Sequence, residues 1–214
     1  MFLPFAGALG TQRPGSIEFN RAQADSIETT ANVAAVGFGD LTIEGRFRTA
    51  TNGELYLGGI GGNTSGGVVV QTTSGQQIRV ILSGSSYTYS SGISAGSVFD
   101  FALSRSGSFG STWRTFVNGE LVGTQILTIN VSSSKVIMGQ KTTAGGDEFN
   151  GLISHIHVTR RAKYTAPYAP SFAPKPDDDT LALIHNPTGV AIEEVNGLAL
   201  TLNNSPTPVS TLLT

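Results

Sequence analysis

Carboxylates, imidazoles and aromatic rings are the groups in this 214-residue chain that could do chemistry. Cleaving a glycosidic bond needs two carboxylates facing one bond, one as acid and one as nucleophile or base. Asp147 and Glu148 in "GDEFNG" are adjacent, so they point to opposite faces of an extended chain, and Glu193 and Glu194 do the same. Asp177, Asp178 and Asp179 fall in a proline-rich stretch and read as a solvated turn. With three histidines, no Ser-His-Asp arrangement can be argued. The absence of cysteine excludes disulfides, thiol catalysis and thiolate zinc sites. No catalytic residue is assigned, and the chain reads as a non-enzyme. His155 and His157 alternate along one strand and share a face, which could supply two metal ligands, or six around a threefold axis. No third ligand lies in the motif, so neither a metal nor another cofactor is expected.

Recognition is the other chemistry on offer. "SSYTYSSG" places Tyr87 and Tyr89 on one face of a short strand, where rings give contact area and hydroxyls give direction. Trp113 opens "WRTFVNGELVGT", in which Asn118-Gly119 sits between two alternating runs. That dipeptide is the strongest short hairpin signal, because a type I′ turn needs positive φ at both central residues. Tyr87, Tyr89 and Trp113 are the candidate ligand-binding residues. Ordinary sheet packing is the competing reading for each, and for Trp113 it is the weightier one.

The elements that must position these groups are strands. Charged residues make up 13% of the chain and 27 of its residues are glycine, which fits a turn-rich β protein. "DLTIEGRFRT" alternates, with Leu41, Ile43, Gly45 and Phe47 on one face and Thr42, Glu44, Arg46 and Arg48 on the other. "SVFDFALSRS" sets Phe99, Phe101, Leu103 and Arg105 against Val98, Asp100, Ala102 and Ser104. Short turns join antiparallel strands, so pairing is expected to be sequential over most of the chain. The proline-rich "RRAKYTAPYAPSFAPKPDDD" is expected to run extended over the surface. A net charge of −2 gives no case for nucleic acid or an anionic membrane. The apolar "MFLPFAGALG" lacks a basic flank and reads as an arm rather than a signal peptide or membrane span.

Taken in order, "FGDLTIEGRFRT", "FDFALSRSG…TWRTFVNGELVGT" and "VIMGQ…EFNGLISHIHVTRRAKYTAPYAPSFAPKPDDDTLALIH" resemble the laminin G-like, concanavalin A-like jelly rolls. The ending, with Tyr164, Phe172, Pro174 and Thr180, is similar to the form found in tailed-bacteriophage virion proteins. The resemblance implies an all-β fold, a concanavalin A-like jelly-roll sandwich of two antiparallel sheets. It divides the chain into an N-terminal arm (1–14), the jelly roll (15–186) and a C-terminal strand and tail (187–214) packed on the same domain. The glucanase branch of this fold carries its acids in a Glu-x-Asp-x-Glu spacing, which is absent here, and some relatives bind calcium at a rim, where Asp147 alone is too little. The expected role is a non-enzymatic accessory protein of a tailed-phage virion, decorating the capsid or forming part of the tail, neck or fibre. It would be made in the host cytoplasm and would partner other virion proteins and further copies of itself as a homo-oligomer. The alternative is a carbohydrate-binding module that attaches to a host-surface glycan. Phe2, Leu3, Phe5 and Leu9 are the expected assembly contacts of the arm.

Overall fold

Side chains at every second position meet across two facing sheets. The computed structural model describes residues 15–33, 36–61, 66–132, 135–140, 148–171, 174–186, 191–195, 199–211 and 213. The arm residues Phe2, Leu3, Phe5 and Leu9, and also Asp147 and Phe172, lie outside the described residues. In chain order the strands are β1 (Ser16–Phe19), β2 (Ser26–Thr29), β3 (Leu41–Thr49), β4 (Leu55–Ile60), β5 (Val68–Thr72), β6 (Gln77–Leu82), β7 (Ser85–Ser90) and β8 (Val98–Ser106). There follow β9 (Ser111–Val117), β10 (Glu120–Leu127), β11 (Val136–Met138), β12 (Gly151–Thr159), β13 (Thr180–His185), β14 (Ile192–Glu193), β15 (Leu200–Asn203) and β16 (Thr207–Val209). A single 3-10 turn, Arg21–Gln23, is the one helical element among the described residues, and no helix there is long and apolar enough to cross a membrane.

The first sheet runs β10-β9-β8-β3-β12-β1-β16, with β13 sharing one edge of β12 with β1, and β14 beyond it. The second runs β15-β2-β11-β4-β5-β6-β7. Pairing is antiparallel throughout, as expected, but it is sequential only within β4–β7, β8–β10 and β12–β14. At the centre, β3 joins β8 and β12, while β1 joins β12 and β16. The expectation of mostly sequential pairing is corrected here for a physical reason. Each alternating run has one apolar face, which must be covered by a second layer, so the chain crosses between sheets and pairs at long range.

Phe99, Phe101 and Leu103 of β8 point into the core, as their alternation requires. Rings run through it in contact: Phe99 to Phe47 at 5.7 Å, Phe47 to Phe149 at 6.2 Å, and Phe149 to Phe19 at 6.1 Å between centroids. Trp113 is 1% exposed and belongs to the same cluster.

The Asn118-Gly119 turn joins β9 and β10, with φ of 51° and 82° at its two residues. Both values suit a type I′ hairpin. The turn is also packed from outside. The Tyr168 amide donates to the Gly119 carbonyl at 3.0 Å, and a Cβ on Gly119 would lie 1.9 Å from the Tyr168 carbonyl oxygen. Gly119→Val therefore adds a steric collision to an unfavourable φ and should cost about 2 to 4 kcal/mol. Urea denaturation of the variant measures this, and an unchanged midpoint would contradict the docking of the turn.

Candidate functional site

The outward face of the first sheet carries its polar chemistry. Along β3, Thr42, Glu44, Arg46 and Arg48 all project to that side, opposite the core residues Ile43, Gly45 and Phe47. A strap of irregular chain, residues 160–171, crosses one end of this face. Its backbone is tied down where Thr42 Oγ1 donates to the Arg161 carbonyl at 2.7 Å and the Lys163 amide donates to Thr42 Oγ1 at 3.0 Å. Tyr164 and Tyr168 stack at 3.5 Å, and both stand edge-on to Phe116, at 6.1 and 5.5 Å.

Beneath the strap lies the Glu44 carboxylate. It accepts from Tyr164 Oη at 2.5 Å, pairs with the Lys163 ammonium, and lies 2.8 Å from His157 Nδ1. Burial opposes its charge, yet the His157 hydrogen bond and the Lys163 cation outweigh burial and bring its pKa down to about 2. Burial and the Glu44 charge push the Tyr164 hydroxyl upward, which keeps it a donor. The network continues from His157 Nε2 to Thr180 Oγ1 at 3.1 Å, from Thr180 to Asp177 at 3.0 Å, and from Arg161 to Asp177 at 2.6 Å. Asp177 is thus more than the solvated turn that sequence suggests: it ties Arg161, at the start of the strap, to Thr180 of β13. The Thr180–His157–Glu44 sequence has the connectivity of a hydrolytic triad. His157 and Thr180 are both buried, however, and the Thr180 hydroxyl is already engaged by Asp177, so no substrate reaches it.

Next along β3, Arg46 forms a two-point bond with Asp100, at 2.9 and 2.7 Å, and also donates to the Leu213 carbonyl at 3.1 Å. Arg48, beyond it, is different. It makes no salt bridge among the described residues and lines an open cleft of about 370 Å³, within the usual range of ligand pockets. Register builds the cleft. Arg48 of β3 pairs with Leu152 of β12, Leu152 with Glu18 of β1, and Glu18 with Thr207 of β16. A cation and a carboxylate therefore flank an apolar floor. Gly151 keeps that floor low, with φ of 143° and a position where a Cβ would lie 2.1 Å from the Arg48 carbonyl oxygen.

The residues singled out from sequence fall elsewhere. Trp113 is enclosed between the sheets and offers no ring face to a ligand, so its candidacy is set aside in favour of packing. Tyr87 and Tyr89 are half-buried on β7, against the margin of the core. Tyr89 plugs the seam between β7 and β10: its ring fills the space a Cβ on Gly123 would need, 2.1 Å away. Sequence reasoning missed Arg48 and Glu18, whose proximity arises from the β3–β12–β1 register. The alternation of Arg48 onto the polar face was the available signal. His155 and His157 do share a face, both buried, and no group of three or more metal-ligating side chains occurs among the described residues.

No family model matches the chain, and no curated protein matches it in sequence. Solved structures do. A heptameric SAP-like pentraxin from Limulus polyphemus superposes with a TM-score of 0.63 at 15% identity, over 89% of this chain and 95% of that one. A candidate carbohydrate-binding protein from Bacteroides ovatus gives 0.62 at 14% identity, over 92% of this chain and 62% of that one. The CBM40 domain of the Ruminococcus gnavus IT-sialidase, solved with α2,3-sialyllactose, gives 0.54 at 17% identity, over 72% of this chain and 93% of that one. The chain shares their two-sheet jelly-roll fold. At these identities the likeness speaks to fold, and the virion setting read from sequence has no counterpart in these three.

The buried imidazoles of the jelly roll give its stability a defined acid limb. Burial pushes His155 down to about 3, and it also lowers His185. The unfolded chain protonates these groups near pH 6.5. Between that pH and the folded values the unfolded state binds more protons, so stability falls as the solution is acidified. Glu44 contributes only lower down, between about 4.5 and about 2. His155→Gln should therefore flatten the profile between pH 6.5 and 4.5, removing up to about 1.4 kcal/mol per pH unit. His185 supplies the slope that remains. Urea titrations at three pH values across that window measure it, and an unchanged slope would refute the assignment.

Proposed function

We propose that this jelly roll is a non-catalytic carbohydrate-binding domain and that the Arg48 cleft receives the saccharide. The observation that carries the reading is the row Arg48–Leu152–Glu18, a guanidinium with no ion partner among the described residues and an exposed carboxylate on either side of an apolar floor. A pyranose has matching features: hydroxyls at its edge for the charged groups to bond, and a C–H face for Leu152. The fold shared with carbohydrate-binding proteins supports this reading over the others. A virion setting is compatible with it, and the sequence order of Tyr164, Phe172, Pro174 and Thr180 favours that setting. The ligand would then be a host-surface glycan, and Phe2, Leu3, Phe5 and Leu9 would join the domain to other virion proteins or to a second copy.

A glycan array carrying neutral and sialylated chains, followed by calorimetry, tests the proposal. Arg48→Ala should weaken binding about tenfold or more with little change in melting temperature. Absence of binding across the array, or full binding by the variant, would overturn it.

A further inference from the structure

β3 spans nine residues, so roughly 25 Å of sheet separates the Arg48 cleft from the opposite rim. There Phe38 and Phe109, from two different loops, stack with ring centroids 5.0 Å apart and planes 24° apart. Phe109 is 78% exposed. A water-facing phenylalanine on a loose loop can fold away, but this one is braced. The Gly107 amide donates to Asp40 Oδ1 at 3.0 Å, the Gly110 amide to Thr128 Oγ1 at 3.0 Å, and Ser111 Oγ to the Gly107 carbonyl at 2.8 Å. Beside Phe38, Gly37 exchanges two backbone hydrogen bonds with Val131, at 3.0 and 2.8 Å. From below, Arg105 Nη1 donates to the carbonyls of Gly37 at 3.2 Å and Ile129 at 2.9 Å, with the guanidinium 5.0 Å from the Trp113 ring. A buried cation thus fixes the loops from which the two rings stand out.

The size of the apolar plate and its frame indicate what it holds. Two rings are far too little for a stable protein interface, which buries about 800 Å² per partner. Around them stand the exposed Asp40, Ser108 and Thr128, and Arg114 bonds Ser106 at the end of β8 at 2.8 Å. A small aromatic plate framed by hydroxyls and a carboxylate suits a neutral sugar. The weakly positive C–H face of a pyranose lies on the electron-rich face of a ring, and its hydroxyls reach the frame. We propose that Phe109, backed by the stacked Phe38 ring, offers its outer face as a second saccharide-binding platform, selective for a neutral pyranose unit. Two contact points on one rigid domain would favour a long or repeating glycan over a short one, because the second contact is made at high effective concentration.

The test uses the full chain, titrated by calorimetry and saturation-transfer NMR against dextran, laminarin, galactomannan, xylan and chitohexaose. At least one should bind. Phe109→Ala should weaken that binding by about tenfold, with a melting temperature within about 2 °C of the parent. Phe109→Trp should preserve the binding. Arg48→Ala, tested alongside, separates the two sites. A loss confined to Arg48→Ala keeps the cleft and overturns the platform. A loss confined to Phe109→Ala keeps the platform and overturns the cleft as the site for that glycan. The platform is also overturned if no probe of the panel binds, or if sedimentation shows that Phe109→Ala dissolves an association between copies while sugar binding is unchanged.

Discussion

One buried carboxylate governs how this sandwich is closed. Glu44 sits on the central strand of the first sheet, where burial alone would favour its neutral form. It stays charged because an imidazole, an ammonium and a phenol converge on it, from β12 and from the strap. The bonds are reciprocal. Without the charge, Lys163, Tyr164 and His157 would each hold a buried or half-buried polar group with no strong acceptor, and the strap would lose its seat. With the strap seated, Tyr168 reaches the Gly119 carbonyl and pins the hairpin between β9 and β10. A local electrostatic balance is thereby transmitted to a turn on another pair of strands.

The strands themselves were legible because alternation is a local property. "SVFDFALSRS" put Phe99, Phe101 and Leu103 inward, and Asn118-Gly119 marked its turn, since both signals need only neighbouring residues. The all-β sandwich follows from many such runs. What stayed hidden was long-range register. Nothing in sequence tells that Arg48, Leu152 and Glu18 stand in a row, or that Lys163 lies over Glu44, because these contacts depend on which strands become neighbours. Trp113 shows a different limit. A lone indole beside a hairpin has the same sequence signature whether it faces solvent or core, and here it faces the core. Phe109 is the reverse case, since one apolar residue in a Gly- and Ser-rich loop could have been noticed as out of place.

Closure of the outer face also shapes where recognition can occur. The strap covers one end of the first sheet, and Leu213 meets Arg46 near the middle. The open surface of this sheet is thereby left at its margins, and the glycan contacts proposed for it fall there. The cleft and the aromatic pair lie at the two ends of β3; strand register holds the cleft, and braced loops hold the pair. Arg105, which lies on the apolar side of β8, helps to supply that rigidity by clasping two loop carbonyls.

The pairing of β1 with β16 has a mechanical consequence. Ser16 stands opposite Val209, Ile17 opposite Pro208 and Glu18 opposite Thr207, so the first and last strands of the described domain run side by side in opposite senses. Tension applied through Ser16 and Val209 would load these rungs one after another, as in opening a zipper, instead of shearing them together. Tethered at those two points, the domain would yield first by peeling off its outermost strand, while the sheets behind it stayed whole.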